Sequence, residues 1–276
     1  MALRNILINI TSKPFTYNLL IIVVKLKNNS LSKVAEMVII MKSSVRYILI
    51  LVALLALWNT IIVKPLKIFA VFLHELGHTI MAFIFGYGIL DFQVNLNESG
   101  HTIVQSKGWF SSFMIANAGY LGTVLLGLLI LCLRNTRVKK YIPGSVAIIF
   151  LLVTIRYSAF SFALLYAALF TVAVVLLYML QNDSVTDWVV DIIGITSLAY
   201  AIYDTFVDVI LLQINLKFRV LQGWNVTQPV TDAVQLSNLT GIPSLIWGII
   251  WFSISIFALY MVLFKKGKSY GNYRRR

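Results

Sequence analysis

Charge is scarce in this chain: only 12% of its 276 residues are Asp, Glu, Lys or Arg, against 59% hydrophobic. Soluble domains carry about 25% charged residues. A water-soluble fold of this size could not cover so much apolar surface, so lipid is the expected solvent. Mean hydropathy, +0.87, agrees. Acids are scarcer still: 10 Asp and Glu stand against 23 Lys and Arg, giving a formal net charge of +13. The basic residues gather at the ends of apolar runs, as at Arg134, Arg137, Lys139 and Lys140, and again at Lys265, Lys266, Lys268 and Arg274 to Arg276. That placement fits cytoplasmic loops beside anionic headgroups of a lipid bilayer and argues against a nucleic-acid partner. Cysteine is nearly absent. Cys132 alone, inside an apolar run, excludes an intrachain disulfide and any cysteine-built zinc site. Histidine numbers three: His74, His78 and His101. No fixed-period repeat is present.

A bilayer-crossing helix needs about 20 mostly apolar residues. Apolar runs at 47–63, 66–88, 110–133, 142–155, 157–180, 189–212 and 243–264 are candidate spans. The expected fold is therefore an all-α polytopic membrane protein with six or seven transmembrane helices. Segments 142–155 and 157–180, parted only by Arg156, read as a tight helical hairpin or, for the shorter one, a re-entrant segment. The loop 134–141 and the C-terminal tail both read as cytoplasmic. Lys42 and Arg46 do as well, and all three cannot share one side if both of the first two runs cross. One of those two runs is expected not to cross fully. The polar loop 89–109 alternates apolar and polar residues from Phe92 to Leu96 and from His101 to Gln105. It reads as a small β-hairpin turning at Asn97 to Gly100.

Three parts follow. Residues 1–46 form a basic N-terminal extension, either a membrane-surface segment or a stretch that is not always translated; Met41 resembles a natural start. Run 47–63 suits an uncleaved signal anchor, with no small-residue cleavage site evident. Residues 47–264 form the membrane domain and 265–276 a basic cytoplasmic tail.

The chemistry concentrates in Val71-Phe72-Leu73-His74-Glu75-Leu76-Gly77-His78-Thr79, inside an apolar helix. Residues four apart share a helical face. His74 and His78 therefore point two imidazoles at one metal, for which zinc is the natural choice. Glu75 is placed as general base toward a water activated by that metal. Burying a Glu between two His in a bilayer costs about 2.5–3.5 kcal/mol for the acid alone, which makes a packing role hard to defend.

This motif in a transmembrane helix resembles the site-2 protease family of intramembrane zinc metalloproteases, and most closely a site-2-protease-like branch of bacteria and fungi. Further stretches are similar to that branch: Asn97-Glu98-Ser99-Gly100, Ala118-Gly119-Tyr120-Leu121-Gly122, Tyr203-Asp204 with Asp208, Thr231-Asp232-Ala233, Thr240-Gly241-Ile242-Pro243 and Trp247-Gly248. The likeness runs from about residue 66 to 264. It implies a zinc-dependent endopeptidase that cleaves membrane-protein or peptide substrates within a membrane, expected here to be a bacterial plasma membrane. In that family the third zinc ligand is an Asp followed by Gly, and this sequence has no Asp-Gly pair. The third ligand stays open. Asp204 ranks first as an intramembrane acid, then Asp232, then Asp208, with His101 last. Asp232 also suits a helix N-cap, and any of these acids could instead orient the histidines from behind. Asn117 is a candidate for binding substrate or an oxyanion, against an interhelical hydrogen bond as the simpler role. Two other functions compete: a non-catalytic binding or regulatory protein of the same fold, and an ion or solute transporter whose His, Glu and Asp line a path.

Overall fold

The computed structural model describes residues 44–158, 162–218 and 231–264. The N-terminal extension up to residue 43, the basic tail from 265 and much of the loop before Thr231 lie outside them. Residues Tyr47–Lys265 belong to one unit.

Among the described residues the first apolar run begins in helix α1, Ser44–Ala56. The chain then turns, with the Thr60 hydroxyl donating to the Leu57 carbonyl at 2.7 Å. Trp58 is buried there, its ring 4.9 Å from that of Tyr203. The run read as a candidate span at 47–63 is therefore helical only to Ala56, with turns from Leu57 to Val63. Six helices among the described residues are long and apolar enough to cross a membrane, so the chain is a multi-pass membrane protein.

Helix α2, Lys64–Ile84, starts with Pro65 in its first turn, where the missing N–H is harmless. It is the most enclosed of the six, its most apolar window 72% buried. A two-stranded antiparallel hairpin follows: β1, Ile89–Val94, and β2, Gly100–Val104. The turn spans Asn95–Ser99, closed by the Asn95 N–H donating to the Ser99 carbonyl at 2.8 Å, with Glu98 at φ 68°. Phe92 of β1 is fully buried with its ring edge-on to Phe72 of α2. The period-two pattern thus places one hairpin face on the zinc-motif helix.

Helix α3, Trp109–Leu133, lies tightly against α2. A Cβ at Gly77 would overlap the Ala118 carbonyl oxygen, and one at Gly122 would come 2.8 Å from the Gly77 Cα. Small residues let the two backbones touch. A short 3-10 turn, Lys139–Tyr141, leads to α4, Ile142–Tyr157; α5, Phe162–Met179, pairs with it. The continuous stretch Lys139–Tyr157 and α5 are each long and apolar enough to cross a membrane. Their outward Leu, Ile and Val, such as Leu152 and Leu169, are exposed, as a lipid-facing surface requires.

Helix α6, Asp183–Asp204, opens on Asn182, whose side chain accepts from Ser184 N–H at 3.0 Å and Val185 N–H at 3.3 Å. It runs on through a π-helical stretch, Thr205–Leu211, into α7, Leu212–Phe218. Arg134 at the end of α3 pairs with the fully buried Asp191 of α6 at 2.7 Å, and Lys139 with Asp187 at 2.7 Å. Helix α8, Asp232–Thr240, stops at Gly241 in the left-handed conformation, and α9, Ser244–Phe264, follows Pro243.

Candidate functional site

His74, Glu75 and His78 lie mid-way along α2 on the side facing α3, α8 and the hairpin. Two features bring α8 there. Ala233 and Leu236 are fully buried in an apolar cluster with Ala116, Tyr120, Trp247 and Trp251. The Trp109 indole N–H also donates to the Leu239 carbonyl at 2.8 Å. The cap of α8 is Thr231, whose hydroxyl accepts from the Val234 N–H. Capping therefore does not occupy Asp232, whose carboxylate turns to the histidines.

Asp232 Oδ2 lies 3.1 Å from His74 Nε2 and 3.2 Å from His78 Nε2, and the two Nε2 atoms are 3.2 Å apart. Among the described residues, these three form the group of potential metal ligands. All three side chains are largely buried, at 14%, 9% and 12% exposure for His74, His78 and Asp232. The His78 Nδ1–H donates to the Ile115 carbonyl at 2.7 Å. That bond orients the ring so that Nε2 faces His74 and Asp232. The three side chains thus bring two ring nitrogens and a carboxylate oxygen together at one point, where a metal ion could be held between them. Donors at about 2.0–2.1 Å from a tetrahedral zinc stand roughly 3.3 Å from each other, and the observed triangle is within about 0.2 Å of that. The residues fit zinc. Burial alone would raise the Asp232 carboxyl, but the adjacent His78 and His74 outweigh it and hold it below the usual carboxylate range.

Gly119 of α3 lies directly beneath the imidazoles. A Cβ there would overlap His74 Nε2 and come 2.5 Å from His78 Nε2. The His74 ring is also held edge-on to Tyr120, 4.7 Å away, and Tyr120 stacks on Trp251 at 4.6 Å.

Glu75 is 4% exposed. Its carboxylate Oε2 accepts from the Thr102 hydroxyl at 2.8 Å. The site opens onto a cavity of about 600 Å³ lined by all four of these residues, by Gly100 and Thr102 of the hairpin, and by Tyr120, Tyr200, Asp204, Asp208 and Gln235.

Asp204, ranked first from sequence as third ligand, is not in the ligand group. It lines the same cavity within electrostatic reach of His74, hydrogen-bonded with Asp208, Tyr200 and Tyr120. Asp208, in the π-helical stretch, also lies outside the group. His101 is half exposed at the cavity rim, its Nε2 2.8 Å from Asp91 Oδ2. Burial opposes ionisation of Asp91, but hydrogen bonds from His101 and Gln93 hold its carboxyl below its ordinary value. Asn117 accepts from the Trp251 indole at 3.1 Å and donates to the Phe113 carbonyl at 2.9 Å. It therefore makes an interhelical hydrogen bond and does not line the cavity.

Sequence reading missed Thr102 and Lys67. Thr102 carried one usable signal, its place in an alternating strand. Lys67, buried at the start of α2, pairs with Glu98 of the hairpin turn at 2.6 Å, and no sequence pattern linked the two.

A family model described as Peptidase M50B-like matches residues 47–262. Comparison with curated proteins and with solved structures returned no match to either.

Proposed function

We propose, because the chain belongs to the Peptidase M50B-like family, which is the site-2 protease family, that it is an active zinc metalloprotease working within the membrane. The observation that carries this reading is the triangle of His74 Nε2, His78 Nε2 and Asp232 Oδ2 beside Glu75, on one cavity among described residues that include six helices long and apolar enough to cross a membrane. In this reading His74, His78 and Asp232 hold zinc. Asp232 takes the place that the Asp-Gly ligand holds in the family, with Ala233 where the glycine would follow. When bound, zinc would polarise the scissile carbonyl and acidify a water.

The rest falls to the protein's own groups. The Ile115 carbonyl orients the His78 ring. The Asp232 carboxylate offsets positive charge in a dry site, where such pairing is strong. Glu75, next to the first ligand, takes the proton from the attacking water onto its carboxylate and returns it to the leaving amine. The cavity admits a short extended stretch of chain. Its substrates are membrane-protein or peptide segments, and its setting is a bacterial plasma membrane. The hairpin, standing over Glu75, helps present them.

The test is cleavage of a transmembrane reporter by purified protein in detergent or liposomes. Glu75→Gln should abolish cleavage while zinc remains bound. Equal cleavage by wild type and Glu75→Gln would refute the catalytic reading and favour a binding or transport role.

A further inference from the structure

The hairpin does more than roof the cavity, because two of its residues bear directly on the Glu75 carboxylate. Thr102 donates its hydroxyl to Glu75 Oε2 at 2.8 Å, and the same hydroxyl lies 3.3 Å from the Glu75 main-chain carbonyl. One donor thus bridges the carboxylate and the backbone of the same residue, which selects a single side-chain rotamer. The other oxygen, Oε1, faces Gly100. A Cβ at that position would lie 2.7 Å from both Oε1 and the Val71 Cγ1 and 2.9 Å from the Glu75 Cγ, so glycine here lets the strand backbone close directly against the carboxylate.

Three anchors set this register. Phe92, paired with Thr102 across the hairpin, is fully buried beside Phe72, one helical turn before Glu75. Lys67 of α2 grips Glu98 in the turn. The Tyr200 hydroxyl donates to the Glu98 carbonyl at 3.4 Å. A slip of one residue would turn Thr102 away and bring His101 or Ile103 over Glu75.

We propose that Thr102 is the positioning residue of the general base, and that Gly100 lets the strand approach α2 closely enough for Thr102 to reach it. Thr102 holds the carboxylate through Oε2. This rests on the protease reading above. Thr102 itself touches no reacting atom; it acts through Glu75. A carboxylate free to swing by about 1 Å is expected to lose on the order of 100-fold in rate.

The experiment compares wild type, Thr102→Val, Thr102→Ser, Gly100→Ala and Glu75→Gln, all zinc-loaded, for kcat and KM on a transmembrane reporter, zinc content, and Tm in detergent. Thr102→Val keeps the shape and loses the donor. It should lower kcat by about 10- to 100-fold with KM and zinc content unchanged, and Thr102→Ser should recover most of the loss. Gly100→Ala should also lower kcat with zinc retained. A Thr102→Val/Glu75→Gln double variant should shift Tm by less than the sum of the single shifts, because both remove one contact. The proposal is overturned if Thr102→Val keeps wild-type kcat, if Thr102→Ser is as impaired as Thr102→Val, or if the Tm shifts add. Equal cleavage by wild type and Glu75→Gln sinks the protease reading instead, and the Tm cycle reads the Thr102 contact separately from that result.

Discussion

Gly119→Ala isolates the metal site from the fold. The residue lies within α3, where Ala is favoured over Gly by about 1 kcal/mol, so helix stability should rise if anything. The new Cβ would nevertheless overlap His74 Nε2 and stand 2.5 Å from His78 Nε2. That is about 0.9 Å short of ordinary contact, which begins near 3.4 Å. The obstructing atoms are the ring nitrogens proposed to hold zinc. To make room the imidazoles must retreat by about that amount, whereas metal sites tolerate misplacement of only about 0.5 Å and zinc–nitrogen distances stay near 2.0–2.1 Å. Zinc affinity should fall by at least about 100-fold, the upper end of what disturbing the groups around metal ligands does. Competition with a chromophoric chelator in detergent measures the affinity, and circular dichroism through a thermal melt checks the fold. Zinc binding within a few-fold of wild type, with the helices intact, would refute the placement of the donors.

Other perturbations separate packing from chemistry. Gly77→Ala pushes a methyl into the Ala118 carbonyl oxygen and should lower Tm by wedging α2 from α3, whether or not zinc is present. Arg134→Ala strips the guanidinium from Asp191, which is fully buried. About 3–5 kcal/mol of stability should be lost, read as a large fall in Tm with zinc content per folded chain unchanged. Lys67→Met removes the ion pair with Glu98. It should make the hairpin turn more susceptible to limited proteolysis and slow reporter cleavage while zinc stays bound; an unchanged digestion pattern would show that the pair does not hold the turn.

Hydropathy made most of the spans legible, because a bilayer imposes a minimum length of apolar helix. At 47–63 composition could not show that the helix ends at Ala56 or that Trp58 folds inward onto Tyr203. Alternation revealed the hairpin and nearly its turn, because the period of two is a local property. The His74, Glu75 and His78 constellation was equally local. The third member of the cluster was not. Rules for acids inside a membrane favour Asp204, which sits well within a long apolar helix. What sets Asp232 beside the histidines is tertiary: Ala233 and Leu236 pack into the cluster around Tyr120 and Trp251, and Thr231 supplies the cap. The same holds for Thr102, which meets Glu75 only because Phe92 fixes the strand register on Phe72.

Zinc content per chain in purified, detergent-solubilised protein tests the central claim most directly, with wild type set beside His74→Ala, Asp232→Ala and Asp204→Ala. The structure predicts close to one zinc in wild type, loss in His74→Ala and Asp232→Ala, and retention in Asp204→Ala. Wild type that takes up no zinc, or Asp232→Ala that keeps it while Asp204→Ala loses it, would contradict the account.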